Sequence, residues 1–345
     1  MASEDGKEYH LQDVPLHGED IVAGSEQIES DSNTTCCAPV AGSLVYLHGF
    51  VIGKICRSTA LLHGKTVIIT GGNTGIGKQT ALDLARRGAK VIIACRDLEK
   101  GKRAEEYIND QVPNAKVLIK SLDLASFKSI RRFASEILQS EPKINILINN
   151  AGVAACPKWL TEDGYEMQFG TNHLGHFLLT TLLLDRIKAS APARIVNVSS
   201  LAHIFGNINF KDINLDRGYQ PLLAYCRSKL ANILFTKELA NRLKGTGVTT
   251  YCLHPGAVHT ELGRHMGTSF SNIMGRIYHV FSRAFFKSAY KGAQTTIFCA
   301  VDESLANESG YYYSNCSKVA PSRRARDAEM AKKLWELSES FVKTE

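Results

Sequence analysis

Two residues with obvious chemical potential in this sequence are a tyrosine and a lysine four positions apart, Tyr225 and Lys229. On a helix, residues at i and i+4 share one face, so the two side chains would lie one turn apart. A free tyrosine has a pKa near 10, which is too high for a base at neutral pH. A lysine ammonium beside it favours the phenolate and would lower that pKa. The pair is a candidate acid–base site, although Tyr-x-x-x-Lys alone also occurs by chance in many helices.

Two further polar features precede this pair. An apolar predicted strand, RIVNVSS, ends in Ser199 and Ser200, and a serine hydroxyl there would hold a substrate oxygen beside the tyrosine. Asn172 lies inside a long predicted helix, where Asn is poorly favoured unless its side chain or backbone has a task. His173 and His176 invite a metal-site interpretation, but no Cys or carboxylate lies at ligand spacing. We therefore predict no metal site and expect the two histidines to pack in the core.

The stretch 65–77, KTVIITGGNTGIG, indicates which fold positions these residues. Its β-branched run, 66–70, is typical of a strand buried on both faces of a parallel sheet. A glycine turn with the spacing T-G-x-x-x-G-x-G follows, and then a helix. Glycines in such a turn permit tight bending and let a pyrophosphate approach the backbone and the helix N-terminus. We predict a dinucleotide site that includes Gly71, Asn73, Thr74, Gly75, Ile76 and Gly77.

Alternating strand and helix patterns extend from residue 64 onwards. They predict an α/β fold with a single Rossmann-like, doubly wound parallel sheet of about seven strands flanked by helices. One catalytic domain, 64–320, and a C-terminal helix within 321–345 account for the pattern. The predicted strands are 66–70, 90–95, 116–120, 145–149, 194–199, 248–254 and 310–313. The predicted helices are 76–87, 98–110, 126–140, 162–189, 221–244, 288–302 and 324–342.

The end of the second predicted strand bears on the identity of the dinucleotide. In this fold an acidic residue at that point binds the ribose 2′-hydroxyl and selects NAD. Cys95 stands at the expected position, and Arg96 follows it. A thiol cannot chelate the ribose diol, whereas a guanidinium offers a planar, permanently charged fork to a 2′-phosphate. We therefore predict NADP(H) as the cofactor. Asp97, one residue further, would bind a ribose hydroxyl or cap the next helix.

Other candidate cofactor contacts stand at the ends of later predicted strands. Asp123 would hydrogen-bond the adenine edge or, alternatively, cap the helix that begins near Ser126. Asn150, in the sequence NNAG, lies where small residues let the backbone approach the cofactor's ribose. Pro255 and Thr260 follow the sixth strand, where ligands sit in this fold class, unless Pro-Gly is only a turn here.

Taken in order, these motifs resemble the short-chain dehydrogenase/reductase family. The resemblance covers about 64–320 and rests on TGGNTGIG, Asp123, NNAG, Asn172, NVSS, Y-x-x-x-K and PGAVHT. Finer features, such as ACRDLEKG, TNHLGHFLLT and AYCRSKLANILFTKELA, are similar to the retinol dehydrogenase 11–14 group of that family. Members of that group reduce retinals and other lipid aldehydes with NADPH.

The resemblance implies a role for each catalytic candidate. Tyr225 would be the general acid/base, and Lys229 would lower its pKa and bind the nicotinamide ribose. Ser200 rather than Ser199 would orient the substrate carbonyl, because the family's catalytic serine is the second of the pair. Asn172 would hold a water of the proton relay. The implied reaction interconverts retinol and retinal, with reduction the expected direction. A carbonyl or steroid reductase of other specificity and a non-catalytic NADP-binding protein are the alternatives.

Charge is unevenly distributed along the 345 residues. The net charge is +7, but nine acidic residues and one Lys give 1–35 a charge of −8, which leaves +15 for the remainder. We interpret 1–35 as an acidic disordered tail. The positive charge of residues 36–345 suits a phosphate-rich cofactor and an anionic membrane surface. No sequence pattern for nucleic-acid recognition is present.

Two weakly apolar segments bear on membrane association. Residues 36–63 are a candidate membrane-anchor segment, whose part 36–53 contains no Asp, Glu, Lys or Arg. A poor transmembrane anchor, an interfacial segment and a stretch packed on the domain are the open interpretations. In the family, the region 262–291 covers the substrate. Its apolar and basic residues suit a long lipophilic aldehyde, unless its apolar face only completes the core. Members of the family usually begin with a more strongly apolar membrane anchor. The resemblance implies a location at the endoplasmic reticulum membrane, with the catalytic domain facing the cytosol. A cytoplasmic location is the alternative.

Overall fold

The first strand of the domain is buried on both faces, as its β-branched sequence predicts. The structure is a computed structural model, and it describes residues 53–258 and 287–343. Strand β1, Thr66–Thr70, is buried along its whole length. Successive side chains of a strand point to opposite faces. Val67 and Ile69 accordingly pack into one apolar cluster, and Ile68 packs into the other.

Within the described residues the strands form one sheet in the order β3-β2-β1-β4-β5-β6-β7-β8, parallel except for the last pair. The order reverses between β1 and β4, and doubly wound sheets bind ligands in the crevice at such a point. The strands after β1 are β2 Lys90–Cys95, β3 Lys116–Ser121, β4 Ile146–Asn149, β5 Ala193–Val198, β6 Val248–His254, β7 Tyr311–Ser314 and β8 Ser317–Val319.

Helices cover both faces of this sheet. One face packs against α1 Gly75–Arg86, α2 Leu98–Gln111 and α7 Ala289–Val301. The other face packs against α3 Phe127–Ser140, α5 Gly175–Ala189, α6 Pro221–Arg242 and α8 Ala328–Val342. Before α5 lie the short helix α4 Met167–Phe169 and a π-helical turn Gly170–Leu174. The predicted α/β class and single doubly wound sheet are thus confirmed.

The structure differs from the sequence predictions in two local details. The sheet has eight strands rather than about seven, because a tight hairpin adds β8. Asn315 and Cys316, its two loop residues, both have positive φ, as a type I′ hairpin turn requires. The helix predicted over 162–189 begins only at Met167, because Gly164 has a φ of +79° and the chain folds back at a bridge between Leu160 and Glu166.

Several sequence predictions fall outside the described residues. They are the acidic tail 1–35, nearly all of the charge-free segment 36–53, Thr260 and most of the region 262–291. Residues 53–62, the part of the anchor candidate nearest the domain that is described, have no regular secondary structure. Over the described ranges, no helix combines the length and apolar character needed to cross a membrane.

Candidate active site

The glycine turn after β1 is shaped by close backbone contacts. Gly71 and Gly75 have φ values of +65° and +52°, which favour glycine. A Cβ added at Gly77 would lie 2.3 Å from the carbonyl oxygen of Gly71, so no larger residue fits there. Thr74 precedes α1 and makes no side-chain cap bond. The N–H groups of the first helical turn therefore keep their capacity to bind an anion.

A cavity of about 340 Å³ opens at the carboxyl edge of the sheet, beside this turn. Every predicted cofactor contact within the described residues lines it, and so do three of the four catalytic candidates. The exception is Asn172, which is buried behind the cavity wall. The predicted residues that line the cavity are Gly71, Asn73, Thr74, Gly75, Ile76, Gly77, Arg96, Asp123, Asn150, Ser200, Tyr225, Lys229 and Pro255.

Arg96 and Asp123 lie at the end of the cavity formed by β2 and β3. The Arg96 side chain is 68% exposed, and its Nη1 lies 3.6 Å from Oδ2 of Asp123. No acidic side chain occupies the position of Cys95, where a carboxylate would repel a 2′-phosphate. Asp97 caps α2 by accepting a hydrogen bond from the Lys100 N–H at 2.9 Å, so its capping interpretation is confirmed.

Asp123 does not cap the helix that follows it. Its Oδ1 accepts a hydrogen bond from the Ala125 N–H at 2.9 Å, within a turn. The cap of α3 is Ser126, whose Oγ accepts from the Ser129 N–H. The capping interpretation of Asp123 was therefore wrong, because the turn after β3 places Ser126 directly before the first helical residue. Its contact with the adenine edge stays a prediction.

Thr70, which the sequence analysis did not select, joins the ends of β1 and β4. Its Oγ1 accepts hydrogen bonds from the backbone N–H groups of Asn150 and Ala151 at 2.9 and 3.0 Å. The Asn150 amide in turn donates to the Thr70 carbonyl oxygen at 2.8 Å. The Asn150 side chain thus fixes the crevice walls as well as lining the cavity. The sequence signal that could have identified Thr70 is a polar residue at the end of β1, directly after the apolar residues 67–69.

Tyr225 and Lys229 share one face of α6, as their spacing predicts. Tyr225 is 9% exposed and Lys229 is 3% exposed, and both line the cavity. The Lys229 Nζ lies 5.7 Å from the centroid of the tyrosine ring and donates a hydrogen bond to the Val198 carbonyl oxygen at 3.1 Å. Burial lowers the pKa of Lys229 from 10.5 to about 8. The ammonium is therefore predominant at neutral pH but titrates not far above it.

The two serines at the end of β5 differ in their hydrogen bonds. Ser199 is 2% exposed, and its hydroxyl donates to the Lys229 carbonyl oxygen at 2.7 Å. Ser200 is partly exposed, and its Oγ accepts a bond from the Ala202 N–H at 3.2 Å. That contact does not use the Ser200 hydroxyl proton, whereas the Ser199 proton is committed to the backbone. The geometry favours Ser200 as the hydroxyl that can reach a ligand.

Asn172 lies in the π-helical turn and holds two neighbouring segments together. Its amide group bonds both the N–H and the carbonyl oxygen of Val153, at 2.8 and 2.9 Å. Its Nδ2 also donates to the Ser228 Oγ on α6 at 2.9 Å. Val153 lines the cavity, so Asn172 positions the cavity wall relative to α6. π-Helical turns inside α-helices occur often at functional sites.

A buried ion pair, also missed from the sequence, joins the same segments. Glu166 accepts bonds from the N–H groups of Gln168 and Phe169, both at 2.9 Å, and so caps the helical stretch that leads to Asn172. Its Oε2 lies 3.1 Å from Nη2 of Arg227 on α6. Burial lowers the pKa of Arg227 below its usual value, and Glu166 opposes that shift. An arginine inside the apolar YCRSKLANIL helix was the only sequence signal.

The two histidines after Asn172 pack in the core, as predicted. The His173 Nε2 lies 2.8 Å from the Ser338 Oγ, and the His176 Nε2 lies 2.8 Å from the Thr70 Oγ1. Burial lowers their pKa values from 6.5 to about 3 and about 4, so both are neutral at physiological pH. Residues 53–258 and 287–343 contain no cluster of three or more metal-ligating side chains.

Comparisons with known proteins agree with this architecture. A family model of the short chain dehydrogenases matches residues 65–269. Retinol dehydrogenase 13 of Homo sapiens is 54% identical over 308 residues, which cover 88% of this chain and 92% of the relative. Retinol dehydrogenase 12 of Homo sapiens is 53% identical over 289 residues, or 84% of this chain and 90% of the relative. The solved structure of an uncharacterized protein from Mycobacterium paratuberculosis is 39% identical, with a TM-score of 0.68 and coverage of 85% and 98%. The chain belongs to the short-chain dehydrogenase family.

Proposed function

We propose that this protein is an NADP(H)-dependent oxidoreductase that interconverts retinol and retinal, with retinal reduction as the main direction, and that it also accepts other lipophilic aldehydes. One observation carries the proposal: Ser200, Tyr225 and Lys229 line the same cavity as the glycine turn, at the carboxyl edge of the sheet. The retinol dehydrogenase names of the two human relatives support a retinoid as the substrate.

The residues of the cavity fit NADP(H). The turn around Gly77 leaves no room for a side chain, and it brings the N-terminus of α1 to the cavity, where a pyrophosphate would bind. Arg96 is exposed at the β2 end, with Cys95 in place of an acid, and would bind the 2′-phosphate. The pairing of Arg96 with Asp123 would orient both side chains around the adenosine. When bound, NADPH supplies the hydride that reduces the substrate carbon.

The side chains at the other end of the cavity would handle the proton. Tyr225 donates its phenolic proton to the oxygen of the substrate as negative charge develops there. The Lys229 ammonium, held by the Val198 carbonyl, stabilises the phenolate that remains. The Ser200 hydroxyl donates a hydrogen bond to the same substrate oxygen and holds it near Tyr225. For Asn172 we propose the family's role of holding a water of the proton relay, in addition to its contacts with Val153 and Ser228.

Membrane association is part of the same proposal. We propose that the protein is bound to the endoplasmic reticulum membrane with its catalytic domain facing the cytosol. The charge-free segment 36–53 and the charge of +15 outside the acidic first 35 residues support this location. A lipophilic aldehyde partitions into bilayers, so an enzyme held at the membrane would meet its substrate there.

The decisive experiment follows NADPH oxidation by the purified full-length protein with a panel of retinals, alkanals and steroid ketones. We expect retinals to be reduced best, and Tyr225→Phe to lower turnover by about 10²–10⁴-fold while NADPH affinity stays close to that of the wild type. Tyr107→Phe, an exposed tyrosine outside the cavity, is the matched control. Near-wild-type turnover of Tyr225→Phe would refute the acid–base role. A preference for steroid ketones would refute the substrate, and no oxidation with any carbonyl would refute the enzyme.

A further inference from the structure

Five large apolar side chains are exposed beside the catalytic residues. The 3₁₀ turn Leu201–Phe205 follows Ser200 directly, and Leu201, Ile204 and Phe205 are 44%, 47% and 71% exposed. At the start of α6, just before Tyr225, Leu222 and Leu223 are each 48% exposed. We call these five residues the apolar rim.

The apolar rim lies on two elements that pack against each other. The 3₁₀ turn packs on α6, the helix whose first turn carries Leu222 and Leu223. Single exposed apolar residues are ordinary on a protein surface and need no explanation. A group of them next in sequence to residues that line a cavity, Ser200 and Tyr225, is typical of an interaction site.

Two exposed arginines flank the rim. The Ser322 N–H donates a hydrogen bond to Nε2 of His203 within the 3₁₀ turn, at 3.1 Å, which places the next residue, Arg323, beside that turn. Arg324 donates from Nη1 to the carbonyl oxygen of Gly206, the residue after Phe205, at 3.2 Å. Apolar side chains bordered by cationic ones form the pattern that binds the interface of an anionic bilayer.

Gly53 lies close to the segment that follows β6. A Cβ added at Gly53 would lie 2.7 Å from Nζ of Lys287, and the Lys287 N–H donates to the Ala257 carbonyl oxygen at 2.8 Å. The carboxyl end of β6, which precedes Ala257, reaches the apolar rim, because the Leu201 N–H donates to Nδ1 of His254 at 3.1 Å. Gly53 and Leu201 therefore both lie near the carboxyl end of β6.

We propose that the apolar rim, with Arg323 and Arg324, docks this protein on the surface of an anionic phospholipid bilayer. In this orientation the mouth of the cavity faces the lipid. A lipophilic aldehyde then passes from the bilayer to Ser200 and Tyr225 without crossing bulk water. The route for the substrate rests on the proposed function, whereas the docking face does not.

Depth-sensitive fluorescence tests the docking face directly. Full-length Phe205→Trp is mixed with phosphatidylcholine/phosphatidylserine vesicles whose acyl chains are brominated, and wild-type protein gives the background of Trp159 and Trp335. We expect most of the added emission to be quenched, because residue 205 would contact acyl chains. The matched control is Leu118→Trp, an exposed site on β3 at the far edge of the sheet, where we expect no added quenching. The double variant Arg323→Glu/Arg324→Glu should lose the part of vesicle flotation that depends on phosphatidylserine.

Each alternative gives a distinct result that overturns the proposal. Equal quenching at 118 and 205 means that no particular face is docked. Flotation without quenching at 205 means that another segment alone holds the membrane. If the added emission of Phe205→Trp is blue-shifted without vesicles, the rim is already covered. A doubled mass in sedimentation then identifies a second copy as the cover, and an unchanged mass identifies a segment of the same chain.

Kinetics separate this proposal from the proposed function. Phe205→Ser should raise KM for retinal presented in vesicles by about tenfold, as loss of one buried aromatic side chain predicts. The same variant should keep the wild-type KM for a short water-soluble aldehyde. An equal rise for both substrates overturns the docking route. If no aldehyde is reduced but the quenching at 205 persists, the proposed function fails and the docking face stands.

Discussion

Replacing Arg227 with Met should lower the free energy of unfolding by about 3 kcal/mol, since removing one partner of a buried ion pair typically costs about 3–5 kcal/mol. The two side chains are 2% and 0% exposed, so the remaining carboxylate of Glu166 would have little access to water. That carboxylate keeps its bonds from the N–H groups of Gln168 and Phe169, which places the expectation at the lower end of the range. A native domain has only about 5–15 kcal/mol of stability, so the loss should be plainly measurable.

A double-mutant cycle isolates the pair from other effects of the substitution. We expect Glu166→Gln/Arg227→Met to cost at least about 1.5 kcal/mol less than the sum of the two single variants, because contacting residues couple by about 0.5–3 kcal/mol. Urea unfolding, followed by circular dichroism, measures the free energy of unfolding of the wild type and of each variant, provided that the m-value is unchanged. Lys188→Met breaks the surface pair with Asp185, whose side chains are 39% and 98% exposed, and should cost under about 1 kcal/mol.

The activity of the same variants adds a second readout. Glu166 caps the helical stretch that carries Asn172, so loss of the pair should reduce turnover more than it reduces NADPH affinity. Two results would refute the reasoning: a loss of stability for Arg227→Met no larger than that of Lys188→Met, or strictly additive effects in the cycle. Either would mean that the carboxylate and the guanidinium do not depend on each other.

Three other perturbations give sharp expectations. Arg96→Asp should weaken NADPH binding at least about tenfold more than NADH binding. The control Arg103→Ala, on the exposed side of α2, should alter the binding of neither cofactor. Equal losses of NADPH and NADH affinity in a binding titration of Arg96→Asp would contradict the assignment of Arg96 to the 2′-phosphate. The kcat/KM for NADPH should fall above a pH of about 8, because Lys229 loses its proton there. Lys229→Arg should move this fall in the pH profile to higher pH, because a guanidinium keeps its proton. A fall at the same pH in the variant would mean that another group causes it. His173 has a pKa of about 3 when folded and 6.5 as its ordinary value, so the unfolded chain binds the extra proton and stability falls as pH drops below 6.5. His173→Phe should remove up to about 1.4 kcal/mol per pH unit from that slope, measured by urea unfolding between pH 6.5 and 5, and an unchanged slope would exclude His173 as its source.

The parts of the fold that follow local rules could be predicted from the sequence. A β-branched run, a turn that needs glycine and a helix start are each decided within a few residues, which is why β1 and the turn at Gly71–Gly77 agree with expectation. The pairing of Tyr225 with Lys229 is equally local, because four residues make about one helical turn. Parallel strands then bring their carboxyl ends to one edge, so residues distant in sequence line one cavity.

The parts that depend on tertiary contact could not be predicted in the same way. Asp123 and Ser126 are both good capping residues, and only the geometry of the turn after β3 decides between them. The partner of Arg227 stands 61 positions earlier in the chain, and no local pattern connects the two. Strand β8 is three residues long, too short for a recognisable alternation, and it depends on its pairing with β7.

The positions of these residues around α6 explain why the buried pair matters for the site. Successive helical residues are rotated by about 100°, so Tyr225 and Lys229 point in nearly the same direction and Arg227 points roughly opposite. The cavity lies on the first side, and Glu166 holds the helix from the second. A helix free to rotate about its axis would move the phenol and the ammonium together, out of line with Ser200. The ion pair between Glu166 and Arg227, on the side of α6 away from the cavity, resists that rotation. The hydrogen bond from Asn172 to Ser228 resists it as well. The orientation of Tyr225, the proposed proton donor, is therefore set by residues that do not line the cavity.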